Sequence, residues 1–219
     1  MQSVNPLTMV QSKMFGEALP VAFYERDARQ VAAELLGKLL CRRGRRGLTV
    51  GRIVETEAYL AEGDSASHSF RGMNRRNASM FGPPGRAYVY TIHARQCVNV
   101  VTDTVGVASA VLIRALEPIT GIPLMQIRRR TKNPLDLCRG PARLCEALDI
   151  SRNLDGWPLL NAQRLWIAQE TTAAKMPVAH SVRIGVTSAH DQPLRYFLPD
   201  NAFVSGPRTL NRFRERTET

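Results

Sequence analysis

The sequence predicts a single mixed α/β domain, and three observations point to this fold class. The chain has 219 residues, a length that suits one domain and would be crowded for two. Apolar residues make up 44% of the chain, so a sizeable core can be buried. Segments that alternate like β-strands are mixed with segments of helical period, without an internal repeat, a low-complexity tract or a linker.

The folded domain is expected to span residues 20–207. Residues 1–19 are weakly patterned and are predicted to form a flexible N-terminal arm. Residues 208–219 are rich in charge and are predicted to form a C-terminal tail.

The residue patterns predict two β-hairpins, one on each side of a polar loop. The first hairpin pairs Leu39–Arg42 with Leu48–Glu57, and the second pairs Arg86–Ile92 with Cys97–Thr102. The loop between them, residues 61–84, contains few hydrophobic residues to bury. The second arm of the first hairpin therefore delivers its acidic residues next to this loop.

The remaining elements are helices and shorter strands. Asp27 is a natural N-cap for the first helix, and the run CRGPARLCEAL predicts a later helix with Pro141 near its first turn. The others are predicted in this order: a buried strand at Val107–Ala115 interrupted by Arg114 and ended by Glu117-Pro118, a helix near 120–130, and short strands at Arg164–Ala168 and His180–Thr187.

The charge of the chain indicates a polyanionic partner. Lys and Arg number 30 against 19 Asp and Glu, a net charge of +11, and nearly all of the basic residues are arginines. The planar guanidinium fork suits phosphates better than a lysine point charge does. Nucleic acid is the most common partner for such a chain, although ribosomal and membrane-surface proteins have similar compositions.

The cysteines and the hydropathy pattern bear on the cellular compartment. Cys41, Cys97, Cys138 and Cys145 form no CxxC pair, so we expect reduced, buried thiols and no zinc site. The N-terminus lacks a signal-peptide pattern, and no apolar run approaches the length of a membrane span. We expect a cytoplasmic protein, associated with the nucleoid if the cell is bacterial, with no nuclear targeting signal.

The stretch GRIVETEAYLAEGDSASH at residues 51–68 contains the main catalytic candidate. Strand period places Glu55 and Glu57 on one face and Thr56 on the other. Glu57, among apolar and aromatic neighbours, would be partly desolvated and usable as a general base. Arg114 would be costly to bury unless it met a carboxylate or a functional water. A buried Arg–Glu pair without a catalytic role accounts for the same pattern.

Aromatic residues near this acid suggest a slot for a flat base. Tyr59, His68, Tyr88 and Tyr90 could stack on a nucleobase, although tyrosines in strands are also common core residues. Asn99, across the second hairpin, could read or exclude a base edge through its amide.

Five arginines are candidates for phosphate contacts. Arg71, Arg75 and Arg76 lie in the polar loop, which could equally be a solvated surface loop. Arg139 and Arg143 flank the start of the helix that contains Pro141, where backbone N–H groups favour anions.

Several blocks of the chain together resemble the 3-methyladenine (alkyladenine) DNA glycosylase family. They are GRIVETEAYL followed by His68, GPPGRAYVY, CVNVV, VLIRALEP, CRGPARLCEAL, RIGV and PLRYFL, in family order from about residue 20 to 206. The resemblance implies a monofunctional base-excision-repair enzyme without a metal or other cofactor, which we expect to act as a monomer on double-stranded DNA containing damaged bases. It also implies a curved, mainly antiparallel sheet flanked by helices, with a protruding β-hairpin.

The resemblance assigns roles to the candidate residues. Glu57 resembles the general base that activates water, and Arg114 the arginine that helps to fix that water. Tyr59, His68 and Tyr90 resemble the walls of a pocket for the extruded base. Asn99 resembles the residue that obstructs the exocyclic amino group of guanine. The expected substrates are alkylated purines, chiefly 3-methyladenine, with 7-methylguanine, ethenoadenine and hypoxanthine as further candidates.

The tip of the second hairpin departs from the family pattern. The family carries a Tyr-Gly pair there, and the tyrosine enters the DNA to fill the space of the flipped base. Here the tip is one residue shorter, and His93 and Ala94 stand at those positions. We expect His93 or Arg95 to act as a weaker wedge.

Two other functions remain open on the sequence. The first is a damage-binding protein that has the pocket without turnover. The second is a metal-dependent nuclease that uses Glu55, Glu57 and Asp64, which would cleave strands and be inhibited by EDTA.

Overall fold

The computed structural model describes residues 17–170 and 176–211. The predicted arm therefore lies outside the described residues up to position 16, and the predicted tail does so from position 212. Of the arm, Leu19 is buried and its N–H donates to the carbonyl of Ile167 at 2.9 Å. No helix among the described residues is long and apolar enough to cross a membrane.

The fold is a mixed α/β domain built on a curled, antiparallel sheet, as predicted. The strands are β1 (Leu39–Gly44), β2 (Gly47–Tyr59), β3 (Ala87–Ile92), β4 (Arg95–Thr102), β5 (Ser109–Thr120), β6 (Leu165–Ala168), β7 (Ala179–Ser181) and β8 (Arg195–Phe197). The main path has the order β3-β4-β5-β2-β1-β6, while β8 pairs with β2 and with β7. Every strand pairing described is antiparallel.

The helices are short. They are α1 (Val21–Tyr24), α2 (Ala28–Leu35), α3 (Ile122–Arg129), α4 (Leu135–Cys138) and α5 (Pro141–Leu148), with 3₁₀ helices at Ala78–Phe81, Arg152–Leu154 and Arg208–Leu210. Asp27 caps α2 by accepting from the N–H of Arg29, as predicted. The predicted inward stripe of α5, which includes Leu144 and Leu148, is buried. All four cysteines are free and buried, so the predicted burial of these thiols is confirmed.

Strand β2 separates the core from the site. Thr56 points to the core side, where its hydroxyl donates to the carbonyl of Ala32 in α2 at 2.8 Å. Glu55 and Glu57 point to the opposite side, as strand period predicts. One face of β2 therefore packs on a helix, and its other face presents two carboxylates.

Two of the three register shifts between β2 and β5 lie on either side of Glu55. Glu55 lies opposite Ala115 while Thr56 lies opposite Ile113, so Arg114 is an extra residue on β5. In the same way Val54 is an extra residue on β2. A bulge re-aims a side chain and increases local twist. Strand β5 continues through Arg114, and the bulge places this arginine beside both glutamates.

Two strand predictions were wrong. Strand β5 does not end at Pro118 but continues to Thr120, because Pro118 pairs at a register shift opposite Gly51, where a missing N–H is tolerated. The strand predicted at 180–187 ends at Ser181. Beyond it, Arg183 and Ile184 bond to acidic side chains instead of to a neighbouring strand.

Candidate active site

Glu57 lies fully buried at the centre of a hydrogen-bond network. Its Oε1 accepts from the N–H of Ile184 at 2.8 Å and lies 3.1 Å from Nη1 of Arg114. Its Oε2 accepts from the hydroxyl of Tyr59 at 2.9 Å. These three donors come from β2, β5 and the loop after β7, so the carboxylate is fixed by distant parts of the chain.

Arg114 bridges the two glutamates. Its Nε donates to Oε1 of Glu55 at 3.2 Å, while its Nη1 faces Glu57 and also donates to the carbonyl of Ile184 at 3.3 Å. Burial lowers the pKa of Arg114, but Glu57 and Glu55 raise it further, and the net pKa lies above its ordinary value. The guanidinium therefore stays charged, and Arg114 meets carboxylates as the sequence predicts.

A cavity of about 240 Å³ opens beside Tyr59. All four residues predicted to form a base pocket line it, namely Tyr59, His68, Tyr90 and Asn99. Because a cavity of about 150 Å³ holds a benzene ring, this one has room for a fused two-ring base. The geometry brings these residues together next to the Glu57 network.

The cavity wall is aromatic, and its rings are held in place by contacts with one another. The rings of His68 and Tyr90 meet edge to face with centroids 4.6 Å apart, and Tyr88 lies 5.6 Å from Tyr90. Nδ1 of His68 is 2.8 Å from the hydroxyl of Tyr88. Burial lowers the pKa of His68 and raises the pKa of Tyr88 to about 12, which favours neutral forms of both at pH 7. The wall is therefore electron-rich and uncharged.

The amide of Asn99 is not free to read a base with both of its polar groups. Its Nδ2 donates to the carbonyl of Tyr88 at 3.0 Å, and the residue is buried. This bond fixes the amide, with its oxygen left as the acceptor that can face the cavity.

The predicted metal site of the nuclease alternative is not assembled. Both oxygens of Asp64 accept from Arg183, each at 2.7 Å, and this pair is fully buried. Glu55 is likewise held by Arg114 and by Arg195. Within residues 17–170 and 176–211, no group of three or more acidic, histidine or cysteine side chains is arranged to hold a metal ion. The three carboxylates are instead each matched by arginine.

The comparison with known sequences agrees with this site. The sequence model of methylpurine-DNA glycosylases matches residues 22–202, which is most of the chain. The chain belongs to the methylpurine-DNA glycosylase family. It is therefore a DNA glycosylase, a hydrolase of N-glycosyl bonds that removes alkylated bases in DNA repair.

Curated relatives of this glycosylase match over nearly their whole length. One from Methanoculleus marisnigri is 48% identical over 85% of this chain and 98% of its own. One from Carboxydothermus hydrogenoformans is 44% identical over 85% and 98%, and one from Koribacter versatilis is 44% identical over 88% and 95%. All three carry the provisional name 3-methyladenine DNA glycosylase.

The arginines predicted to meet phosphates fall into two groups. Arg71, Arg75 and Arg76 are exposed in the polar loop of the glycosylase, as is expected of groups that meet a ligand. Arg139 and Arg143 have partners within the chain, because Arg139 Nε donates to the carbonyl of Val204 and Arg143 pairs with Asp136. The polar loop is thus the better candidate for contact with the DNA backbone.

The polar loop is folded against the base cavity by one asparagine. Nδ2 of Asn77 donates to the carbonyls of His68 and Gly72, at 2.8 and 3.0 Å, and its Oδ1 accepts from the N–H of Asn74. A second cavity, of about 740 Å³, lies between this loop and the second hairpin and is lined by Arg76, His93 and Arg152 among others. It shares His68, Tyr88, Tyr90 and Ile92 with the base cavity.

The tip of the second hairpin is a two-residue turn. Ile92 pairs with Arg95, and the turn residues His93 and Ala94 have φ of 46° and 59°. Positive φ at both positions is typical of a type I′ turn, which usually contains Asn or Gly. The glycosylase therefore exposes His93 on a tight turn beside the second cavity, and the wedge role of His93 and Arg95 stays a prediction.

Several site residues were not assigned by the sequence reasoning. Tyr88 was grouped with the aromatic candidates but had no assigned role, although it lines the base cavity. Arg183, Arg195 and the loop segment Gly185–Ser188 were not predicted to belong to the site. The RIGV and PLRYFL blocks contained the signal, since each has one arginine among apolar residues.

Proposed function

We propose that this glycosylase flips alkylated purines out of double-stranded DNA and hydrolyses their glycosidic bond, with 3-methyladenine as its main substrate. Glu57 acts as the general base for the attacking water. The observation that carries the proposal is the aromatic base cavity ending at Tyr59, whose hydroxyl is bonded to the Glu57–Arg114 pair. The names of the curated relatives support the choice of 3-methyladenine.

The cavity suits a cationic purine. Alkylation at N3 or N7 places a positive charge on the base, which weakens the glycosidic bond. Cations are attracted to the faces of aromatic rings, and Tyr88 and Tyr90 stand 5.6 Å apart on the cavity wall. An alkylated purine is therefore favoured over an intact one by the same charge that makes it easier to remove.

One oxygen of Glu57 has an unused acceptor position. Among the described contacts, Oε2 accepts only from Tyr59, and a carboxylate oxygen can accept two. A water beside the Tyr59 hydroxyl would give its proton to Glu57 while its oxygen attacks C1′ of the sugar. The C1′–N bond breaks with its electron pair passing to the purine, and the carboxylate offsets positive charge on the sugar.

The reaction partner is proposed to be double-stranded DNA, bound by a monomer in the cytoplasm or at the nucleoid. The net charge of +11 supports a polyanionic partner, and one of the exposed loop arginines, Arg76, lines the second cavity. Base flipping costs a few kcal/mol, and it costs least for damaged or mispaired bases.

The order of lesion removal tests this proposal. We expect 3-methyladenine to be released fastest, and ethenoadenine and hypoxanthine at least about tenfold more slowly, because a neutral base departs as an anion unless an acid protonates it. The cavity offers phenols and a neutral imidazole for that purpose, all weak acids. Single-turnover release from matched duplexes measures the three rates side by side.

The controls separate the alternatives. Each duplex is assayed with and without EDTA, and strand cleavage is scored before and after alkaline treatment of abasic sites. Duplex binding without base release would indicate a damage-binding protein. Strand breaks that EDTA abolishes would indicate a nuclease. Faster release of hypoxanthine than of 3-methyladenine would contradict the proposed selectivity.

The hairpin tip is proposed to fill the gap left by the flipped base. The double variant His93→Ala, Arg95→Ala is expected to slow excision from duplex DNA by about tenfold, because the unpaired gap would then lose its stacking partner. Excision from single-stranded DNA should be unaffected. Arg45→Ala, on the exposed tip of the first hairpin, is the matched control. Unchanged excision from duplex DNA in the double variant would show that neither residue is a wedge.

A further inference from the structure

The buried charge network of the active site continues beyond the two glutamates to Arg195. This arginine has no exposed surface, and its Nε donates to Oε1 of Glu55 at 2.7 Å. The same oxygen accepts from Nε of Arg114 at 3.2 Å. Glu55 is thus shared between two arginines, only one of which reaches Glu57.

Arg195 uses its remaining donors to hold the C-terminal segment Ser205–Asn211. Nη2 donates to Oδ1 of Asn211 at 2.7 Å and to the carbonyl of Ser205 at 3.1 Å, and Nη1 donates to the carbonyl of Leu210 at 3.2 Å. Nη1 also donates to the hydroxyl of Ser181 at 2.8 Å. Every N–H-bearing nitrogen of this guanidinium therefore has a partner.

The C-terminal segment also contacts Glu55 directly. The N–H of Ser205 donates to Oε2 of Glu55 at 2.8 Å. Nδ2 of Asn211 donates to the carbonyl of Ser205 at 3.2 Å, and this hydrogen bond joins the two ends of the segment. This segment follows residue 202, where the match to the family ends.

We propose that the segment Ser205–Asn211 is a positioning element of the active site, acting through Arg195 and Glu55 on the Arg114–Glu57 pair. The inference rests on the proposed role of Glu57 as the general base. The domain would then have functional contacts beyond residue 207, the boundary that the sequence suggested.

The physical argument concerns both orientation and charge. With Nε held by Glu55, the Nη1 of Arg114 is directed at Glu57 and at the carbonyl of Ile184. Charges interact strongly where water is excluded. If Arg195 did not offset Glu55, that carboxylate would compete with Glu57 for the charge of Arg114. Arg195 thus leaves Arg114 available to Glu57, and Asn211 fixes Arg195.

The test compares rate with affinity in Asn211→Ala and Arg195→Lys. Single-turnover release of 3-methyladenine from duplex DNA gives the maximal rate constant. Binding to a duplex with a tetrahydrofuran abasic-site analogue gives the affinity. We expect the rate constant of both variants to fall by about tenfold or more with unchanged affinity, since small misplacements of catalytic groups are costly. Asn211→Asp, which keeps the acceptor for Arg195, should restore the rate.

Two controls keep the outcome interpretable. Asn161→Ala changes an exposed asparagine, and Arg26→Lys changes an arginine in a surface ion pair with Glu34, and both should match the wild type. All assays are run well below the lowest thermal unfolding midpoint among the variants. A normal rate in Asn211→Ala and Arg195→Lys, or a rate loss that Asn211→Asp shares, would overturn the inference. A Glu57→Gln variant that retained activity would instead overturn the proposed function.

Discussion

Glu57→Gln is expected to abolish detectable release of 3-methyladenine while the protein still folds and binds DNA. Loss of a general base typically costs about 10²- to 10⁴-fold in rate, and here the same carboxylate would also stabilise the sugar cation. The amide oxygen can still accept from the N–H of Ile184, and the amide NH2 can donate to the hydroxyl oxygen of Tyr59, so the local structure should persist. Arg114 keeps Glu55 as its counter-charge.

The measurement is single-turnover base release, with affinity for an abasic-site analogue as the binding readout. Glu62→Gln is the matched control, because Glu62 is an exposed glutamate five positions further along the chain. Full activity in Glu57→Gln would show that another group activates the water. Lost activity together with lost affinity and a lower unfolding midpoint would show a structural role only.

Arg183→Met is expected to cause the largest loss of stability. It would leave Asp64 buried and uncompensated, and removing one partner of a buried ion pair typically costs about 3–5 kcal/mol. The guanidinium of Arg183 also lies 4.6 Å above the ring of Tyr59, so the change should loosen the cavity wall. Urea unfolding at pH 7 measures the free energy of unfolding, and base release should fall with it.

The pH dependence provides a check on this assignment. Burial raises the pKa of Asp64, but its bonds to Arg183 and to the backbone lower it further, to below the model-peptide value of 3.8. A lowered pKa in the folded state means that the ionised pair stabilises the protein above pH 3.8 and stops doing so as the pH falls through the folded value. The difference in the free energy of unfolding between Arg183→Met and the wild type should therefore become smaller in acid.

The control for this prediction is Arg29→Met, which breaks an exposed pair with Asp27. Exposed pairs contribute about 0–1 kcal/mol, so this variant should remain close to the wild type in urea. Equal losses in the two variants would indicate that burial of the Asp64–Arg183 pair has no special role. A stability loss in Arg183→Met that is independent of pH would indicate lost packing instead of lost charge.

The local part of this structure follows from the sequence. Strand period alone places Thr56 toward the helix and Glu57 toward the site. The residues of the base pocket lie on β2, on the polar loop and on the second hairpin, close enough in sequence for their convergence to be anticipated. The cost of burying Arg114 correctly indicates a carboxylate partner.

The arginines of the later segments could not be placed in this way. Arg195 meets Glu55 across 140 positions, and Arg183 meets Asp64 across 119. A single arginine among apolar residues indicates a charge that needs a partner, but it does not identify the carboxylate that compensates the charge. Only the tertiary fold brings the compensating carboxylate within reach. The same reason explains the wrong strand at 180–187, where the backbone bonds to Glu57.

The bulge at Arg114 restricts how this protein can vary over evolution. Removing one residue from β5 near Arg114 would shift the following side chains to the other face of the sheet, and the guanidinium would leave both glutamates. The fold can accommodate substitutions around Arg114, but it cannot accommodate such a change in the length of β5. The turn at His93 and Ala94 joins β3 to β4 at the far end of the second hairpin, so a change of its length would leave the pairing of β5 with β2 intact.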